Sequence, residues 1–183
     1  MESKRKYQNK KSKADPEDIA ETKLGKLRKQ KDEISRNQKM EIPIKKIKPA
    51  NPHKKNICLV LMGSFYPIHN DHLRCLERCK EHLETVKQYN VIGGYLLPCH
   101  TGRLATCFES APMDQITRLK LCQLAVEDSD WIDIEPFTIL QDSNLDDCVS
   151  LKNLEKHVNQ MIEHDPENPI RVLQIQSEER ILF

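Results

Sequence analysis

From Asn56 onward the apolar residues fall into short unbroken runs separated by stretches with helical spacing. Ile57 to Met62 is a continuous apolar run of strand length, as a strand buried on both faces of a parallel sheet requires. Gly63 and Pro67 punctuate a turn, and Asn70 or Asp71 is placed to cap a helix whose face carries Leu73, Leu76, Leu83 and Val86. Val91 to Leu97 reads as a second strand stopped by Pro98, and His100 to Glu109 as an irregular loop. Ser110, with Pro112 just inside, opens a second helix bearing Met113, Ile116, Leu119, Cys122 and Val126. Trp131 to Ile134 gives a third strand ending at Pro136, followed by an acidic loop around Asp142 to Asp147. A third helix starts near Ser150 with Leu151, Leu154, Val158, Met161 and Ile162 at helical spacing, and its His157 and His164 read as exposed polar residues. Pro166 and Pro169 end it, and Ile170 to Ile175 is a fourth strand.

Strands alternating with helices over residues 56 to 183 predict an α/β fold, a Rossmann-like doubly wound parallel sheet (βαβαβαβ) with right-handed crossovers. In such a sheet the ligand crevice lies beyond the C-terminal ends of the strands. Gly63 to His72 occupies that place.

Residues 1 to 55 lack a comparable pattern. They carry 18 Lys and Arg against 8 Asp and Glu, a formal charge of +10, whereas residues 56 to 183 carry 11 against 20, or −9. The total of +1 over 183 residues therefore hides a basic segment joined to an acidic globule. The expectation is a flexible, disordered basic N-terminal tail over 1–55 and one α/β domain over 56–183. A thin stripe of Ile19, Leu27 and Ile34 would allow a short helix between Pro16 and Arg36. The clusters Lys4, Arg5, Lys6 and Lys10, Lys11, Lys13 suit a nuclear import signal or nucleic-acid contact, with a solubilising arm the preferred reading.

No apolar run approaches the roughly 18 to 20 residues that span a bilayer, and the first residues are charged, so neither a membrane helix nor a secretory signal is expected. An intracellular protein of nucleus or cytoplasm follows. The 7 cysteines are scattered without the paired spacing of a zinc site and are expected to be reduced. Cys75 and Cys79, four apart, would share the packed face of their helix.

The chemistry concentrates in Gly63-Ser64-Phe65-Tyr66-Pro67-Ile68-His69-Asn70-Asp71-His72. Gly63 at a strand end would let a ligand approach the backbone, since no Cβ blocks it. His69 and His72, three apart at a helix start, would face one side over a helix N-terminus whose N–H groups and dipole attract phosphate. That arrangement suits holding a polyphosphate and stabilising charge in phosphoryl transfer, with no covalent protein nucleophile.

On these residues the chain resembles the nicotinamide mononucleotide adenylyltransferases of the nucleotidylyltransferase superfamily, which carry an HxGH-type signature. The resemblance rests on Gly63-Ser64-Phe65, Pro67, His69 and His72-Leu73-Arg74, and continues in Pro98, Arg118 to Ala125 and Ser129-Asp130-Trp131. It implies an enzyme that transfers AMP from ATP to nicotinamide mononucleotide, giving NAD and pyrophosphate. His69 and His72 would then hold the ATP phosphates as the catalytic pair, and Gly63, Ser64 and Phe65 would contact both nucleotides through the backbone. Trp131 would pack the nicotinamide ring, and Arg118 would flank the mononucleotide site. Mg²⁺ would accompany ATP, with no metal ligands assigned to the protein and self-association left open.

Three departures from the family pattern keep a second reading in play. Thr101-Gly102-Arg103-Leu104-Ala105 stands where the family has a Tyr-Lys-Lys-like stretch, leaving Arg103 as the one cation there to meet a phosphate. Gln176-Ser177-Glu178 replaces a G-x-D, and no I-S-S-T-x-x-R stretch is found. The alternative is therefore a shortened or divergent relative that binds a nucleotide or a partner without catalysis.

Overall fold

The computed structural model describes residues 42–104, 113–141 and 146–175, without the side chain of Arg103. The chain divides into 1–41 and Ile42–Phe183, and the fold is that of the second unit. The basic clusters from Lys4 to Lys13, the stripe of Ile19, Leu27 and Ile34, the start at Ser110 and Pro112, most of the His100 to Glu109 loop, residues 142–145 and Gln176 to Glu178 lie outside the described residues.

Four parallel strands form one sheet: β1 (Asn56–Gly63), β2 (Asn90–Pro98), β3 (Ile132–Ile134) and β4 (Arg171–Ile175), in the order β3-β2-β1-β4. Between them run α1 (Asn70–Thr85), a single-turn α2 (Thr101–Leu104), α3 (Gln115–Ala125), a single-turn α4 (Phe137–Leu140) and α5 (Asp147–Met161). The Rossmann-like architecture expected from the alternation is the one observed, with the strand order reversing about β1.

The unbroken apolar run of β1 is explained by what covers it. Ile57, Leu59 and Leu61 pack with Leu76 of α1 and with Leu119 and Cys122 of α3. The intervening Cys58, Val60 and Met62 pack on the opposite face with Leu154 and Val158 of α5. A strand's side chains alternate between faces, so a centre strand with a core on each side has no place for a polar residue.

One further member of the second core moves the domain boundary. Ile42 is buried in that cluster with Ile47 packed beside it, so the compact unit begins before Asn56. Residues 42–55, assigned by their charge to a tail, are a strap across the sheet. Tyr95 donates its hydroxyl to the Pro43 carbonyl at 2.7 Å, and Lys48 N–H donates to Ile92 O at 2.7 Å. The Lys46 ammonium reaches the carbonyls of Val126 at 2.6 Å and Ile132 at 3.1 Å. A lysine that buries its stem and ends on two carbonyls is indistinguishable by composition from a solvated one.

Smaller differences have local causes. Asp114, not Ser110, caps α3, its carboxylate accepting from Thr117 N–H at 2.9 Å and from the Thr117 hydroxyl at 2.6 Å. Asp146 caps α5 through Cys148 N–H at 2.8 Å, ahead of the expected start at Ser150. Val86 and Met161, expected on packed faces, are exposed at helix ends. His157, expected as an exposed polar residue, is half-buried with Nε2 3.2 Å from the Ile42 carbonyl. Cys79 packs against the α1-side core, as its spacing from Cys75 suggests. Cys58, Cys75, Cys79, Cys99, Cys122 and Cys148 take part in no disulfide.

Lys46→Met keeps the aliphatic stem and deletes both charge-assisted bonds. It is expected to lower unfolding stability by about 1–3 kcal/mol in urea titrations, whereas an unchanged midpoint would show that the strap is not anchored there.

Candidate functional site

The turn after β1 is built from the inside. Gly63 ends the strand opposite Pro98 of β2, and its carbonyl accepts the Cys99 N–H at 2.8 Å. A Cβ on Gly63 would stand 3.1 Å from Cε1 of Phe65. The glycine thus makes room for the Phe65 ring, where the sequence suggested room for a ligand. Phe65 has φ 43°, in the left-handed region, while only 1% exposed. That conformation costs a non-glycine residue roughly 1–2 kcal/mol, offset by full burial of the ring. Phe65 therefore supports the turn from beneath.

The ring of Phe65 meets His72 edge to face, with centroids 5.1 Å apart. His72 lies on the first turn of α1, and His69 is its N-cap, with extended backbone at φ −143° and ψ 170°. The His69 N–H donates to His72 Nδ1 at 3.1 Å, and the two rings are 3.8 Å apart by centroid, tilted by 35°. Since Nδ1 accepts that bond, the proton of the neutral ring sits on Nε2, leaving a donor for a ligand. Burial holds the His72 pKa below the ordinary imidazole value, reinforced by repulsion from His69 and opposed by Asp71. Asp71 lies 3.9 Å from His69 Nδ1 and 3.3 Å from Arg74 Nη1.

The structure thus brings Gly63, Ser64, Phe65, His69 and His72 together, and takes two expected contacts into the interior. Arg118, on α3, is fully buried. Its Nη1 donates to the carbonyls of Ser64 and Cys99, each at 2.9 Å, and Nη2 donates to Thr101 Oγ1 at 3.2 Å. Burial lowers its pKa from the usual guanidinium range, a range high enough that the group remains charged near neutrality. Rather than flanking a ligand site, it lies behind the turn.

Trp131, expected against a ligand ring, is 3% exposed and occupies the space left by Gly94, where a Cβ would come within 2.8 Å of the indole. Its Nε1 donates to Glu77 Oε1 at 2.9 Å, and Lys80 Nζ stands 4.4 Å from the ring centroid. It ties β3 to α1 and presents no free face to a ring. Arg103 lies in α2 with its side chain outside the described part.

The residues that sequence reasoning missed are Thr101, Glu77 and Glu135. Thr101 and Glu77 are partners across 17 and 54 positions, a separation that no periodicity reveals. Glu135, at the end of β3, folds its carboxylate back onto the N–H groups of Phe137 at 2.8 Å and Thr138 at 3.1 Å. Burial pushes its pKa up, and those bonds oppose the shift. It lines a cavity of about 350 Å³ with Ile42, Phe137, Ser150 and His157, on the α5 side of the sheet and without His69 or His72. Among the described residues no group of three His, Cys, Asp or Glu side chains is placed to hold a metal ion. No helix of the described residues is long and apolar enough to cross a membrane.

Residues 60–178 match the family model described as cytidylyltransferase-like. Among curated proteins, nicotinamide/nicotinic acid mononucleotide adenylyltransferase 2 of Xenopus tropicalis is 33% identical over 104 residues, 57% of this chain and 33% of that protein. The Rattus norvegicus protein of the same name is 33% identical over 100 residues, 55% of this chain and 31% of its own. Nicotinamide-nucleotide adenylyltransferase of Drosophila melanogaster is 27% identical over 128 residues, 70% of this chain and 31% of its length. The chain spans about a third of the length of the curated relatives it matches.

Two measurements follow from this geometry. Gly63→Ala pushes a methyl group against the Phe65 ring and is expected to cost about 1–3 kcal/mol in urea unfolding, as overpacking does. The double variant Gly63→Ala/Phe65→Leu should recover part of that loss, and strict additivity would place the strain elsewhere. In ¹H NMR titrations His72 should protonate below the ordinary imidazole value of about 6.5. Inorganic pyrophosphate should raise its midpoint, because a nearby anion favours the imidazolium; an unmoved midpoint would mean that the anion is not held there.

Proposed function

The chain belongs to the cytidylyltransferase-like family, and on that premise we propose that it transfers AMP from ATP to nicotinamide mononucleotide, releasing pyrophosphate. The observation that carries the reading is the pair His69 and His72 at the start of α1, directly beyond the doubly buried strand β1. The relatives named above are adenylyltransferases for that acceptor or for its nicotinic acid counterpart. That likeness supports the choice of substrates.

In this reaction a phosphate oxygen of the acceptor forms a bond to the α-phosphorus of ATP, and the bond from that phosphorus to the bridging oxygen of the β-phosphate breaks. The electron pair leaves with pyrophosphate. Negative charge grows on the bridging and non-bridging oxygens during the step, so donors aimed at those atoms lower the barrier more than they tighten ground-state binding. His72, with its proton on Nε2, is such a donor, and His69 stands beside it. Mg²⁺ would enter with ATP as part of the substrate. Asp71, the carboxylate beside the histidines, is engaged by Arg74.

A binding role without catalysis is the second reading. It is favoured by the burial of Trp131 and Arg118, which removes two expected ligand contacts. Pyrophosphate release from ATP in the presence of nicotinamide mononucleotide and Mg²⁺ separates the two, and its absence across a panel of acceptors would leave the binding role. With turnover established, His72→Ala should lower kcat by on the order of 10² to 10³ while the Michaelis constant for ATP changes little. A loss within about twofold, some 0.4 kcal/mol of barrier, would remove His72 from transition-state stabilisation.

A further inference from the structure

We propose that Arg118 is a positioning residue for the phosphate site, fixing the turn that carries the histidines against the loop after β2. The proposal rests on the phosphate-binding reading given above.

Ser64 follows the last residue of β1, and Cys99 and Thr101 follow the last residue of β2, the neighbouring parallel strand. Both segments leave the same edge of the sheet, and one guanidinium joins them. Its Nη1 is shared between Ser64 O and Cys99 O at equal distances of 2.9 Å, and Nη2 takes Thr101 Oγ1 at 3.2 Å. Beyond Ser64 lie Phe65 and the histidines, and Thr101 opens the short helix that contains Arg103. Two backbone segments and a helix start thereby take their relative positions from one rigid fork.

Interior packing alone does not account for an arginine here. A fully buried guanidinium is expensive to desolvate, and its hydrogen bonds go to two carbonyls and a hydroxyl, with the Cys99 side chain beside it, none of them a carboxylate. Its Nε is buried without a hydrogen-bond partner. Asp114, the cap of the same helix, spends its carboxylate on Thr117. Asp114 and the Cys99 side chain favour the charged form of Arg118, but among the described residues no carboxylate is hydrogen-bonded to it, so an anion on the solvent side of the turn would still be attracted by it. Lysine would supply the charge without the fork, because an ammonium is a point donor on a flexible stem.

The probe is ATP without metal, titrated by calorimetry into the full chain carrying Arg118→Lys, Arg118→Gln or Thr101→Val, beside the unsubstituted chain. Urea unfolding without ATP is measured in parallel. Loss of the fork is expected to weaken ATP binding about tenfold or more in Arg118→Lys and Arg118→Gln, and about threefold in Thr101→Val, which loses one acceptor. A residue that served stability alone would lower the fraction of binding-competent protein, and so the stoichiometry, with Kd unchanged. If the Arg118 variants do not fold, Thr101→Val carries the test. Kd values within twofold of the unsubstituted chain in every folded variant would overturn the positioning role while leaving the phosphate site intact. Absence of ATP binding by the unsubstituted chain would overturn the phosphate site, and the positioning role with it.

Discussion

The fold depends on covering β1 from both sides. Its apolar residues alternate between two cores, and each core must be closed by something other than the sheet. On one face α1 and α3 supply that cover. On the other, α5 is joined by the strap from Ile42 and by Phe137 of α4. Ile47 lies against Gly93 of β2, where a Cβ would stand 3.3 Å from its side chain, so the strap sits close on a strand that makes room for it. Lys46 and the Pro43 carbonyl tie it to α3, β3 and β2. Once both faces are closed, the C-terminal end of β1 has a fixed position, and the turn after it inherits that position.

At that end the interior shapes the surface. The left-handed backbone of Phe65 is held by burial of its ring beneath Gly63, and Ser64 is held by the fork of Arg118. Exposed His69 and half-buried His72 then stand on a turn whose conformation is determined from below. Trp131 performs a comparable task farther back, joining α1 to the β3 edge through Glu77 and Lys80. The two expected ligand contacts that the structure buries, Arg118 and Trp131, thus brace the elements on either side of the histidine turn.

What the sequence reveals follows from the range of the interactions involved. Strands and helices of the sheet are legible because each shows in consecutive residues, as Ile57 to Met62 does, and the crossover pattern follows from their order. The histidine pair is legible for the same reason, since residues three apart at a helix start are neighbours. Helix starts are harder to place because a serine near a proline resembles a cap as closely as Asp114 does, and only the Thr117 contact distinguishes them. The strap is hidden by charge: Ile42, Ile44 and Ile47 are interleaved with Lys45, Lys46 and Lys48, and composition averages the two sets. Arg118 reads only as a cation near a motif, because its acceptors Ser64, Cys99 and Thr101 come from distant sequence.

The site contains two kinds of positive charge, and their locations differ for a physical reason. Arg118 is charged whether or not a ligand is present, so it must have acceptors at all times, and the interior provides three. A permanent cation of that sort on the solvent side of the turn would repel an imidazolium forming beside it. His72 is instead held toward its neutral form by burial and by His69, and acquires charge when an anion offsets those two costs. Asp71, on the same helical turn, would repel such an anion if its carboxylate were unopposed. Arg74 at 3.3 Å opposes it. The charge that His72 adds on the solvent side is therefore conditional on the ligand, while the charge that holds the turn is permanent and lies behind the backbone, where it attracts an anion without blocking its approach.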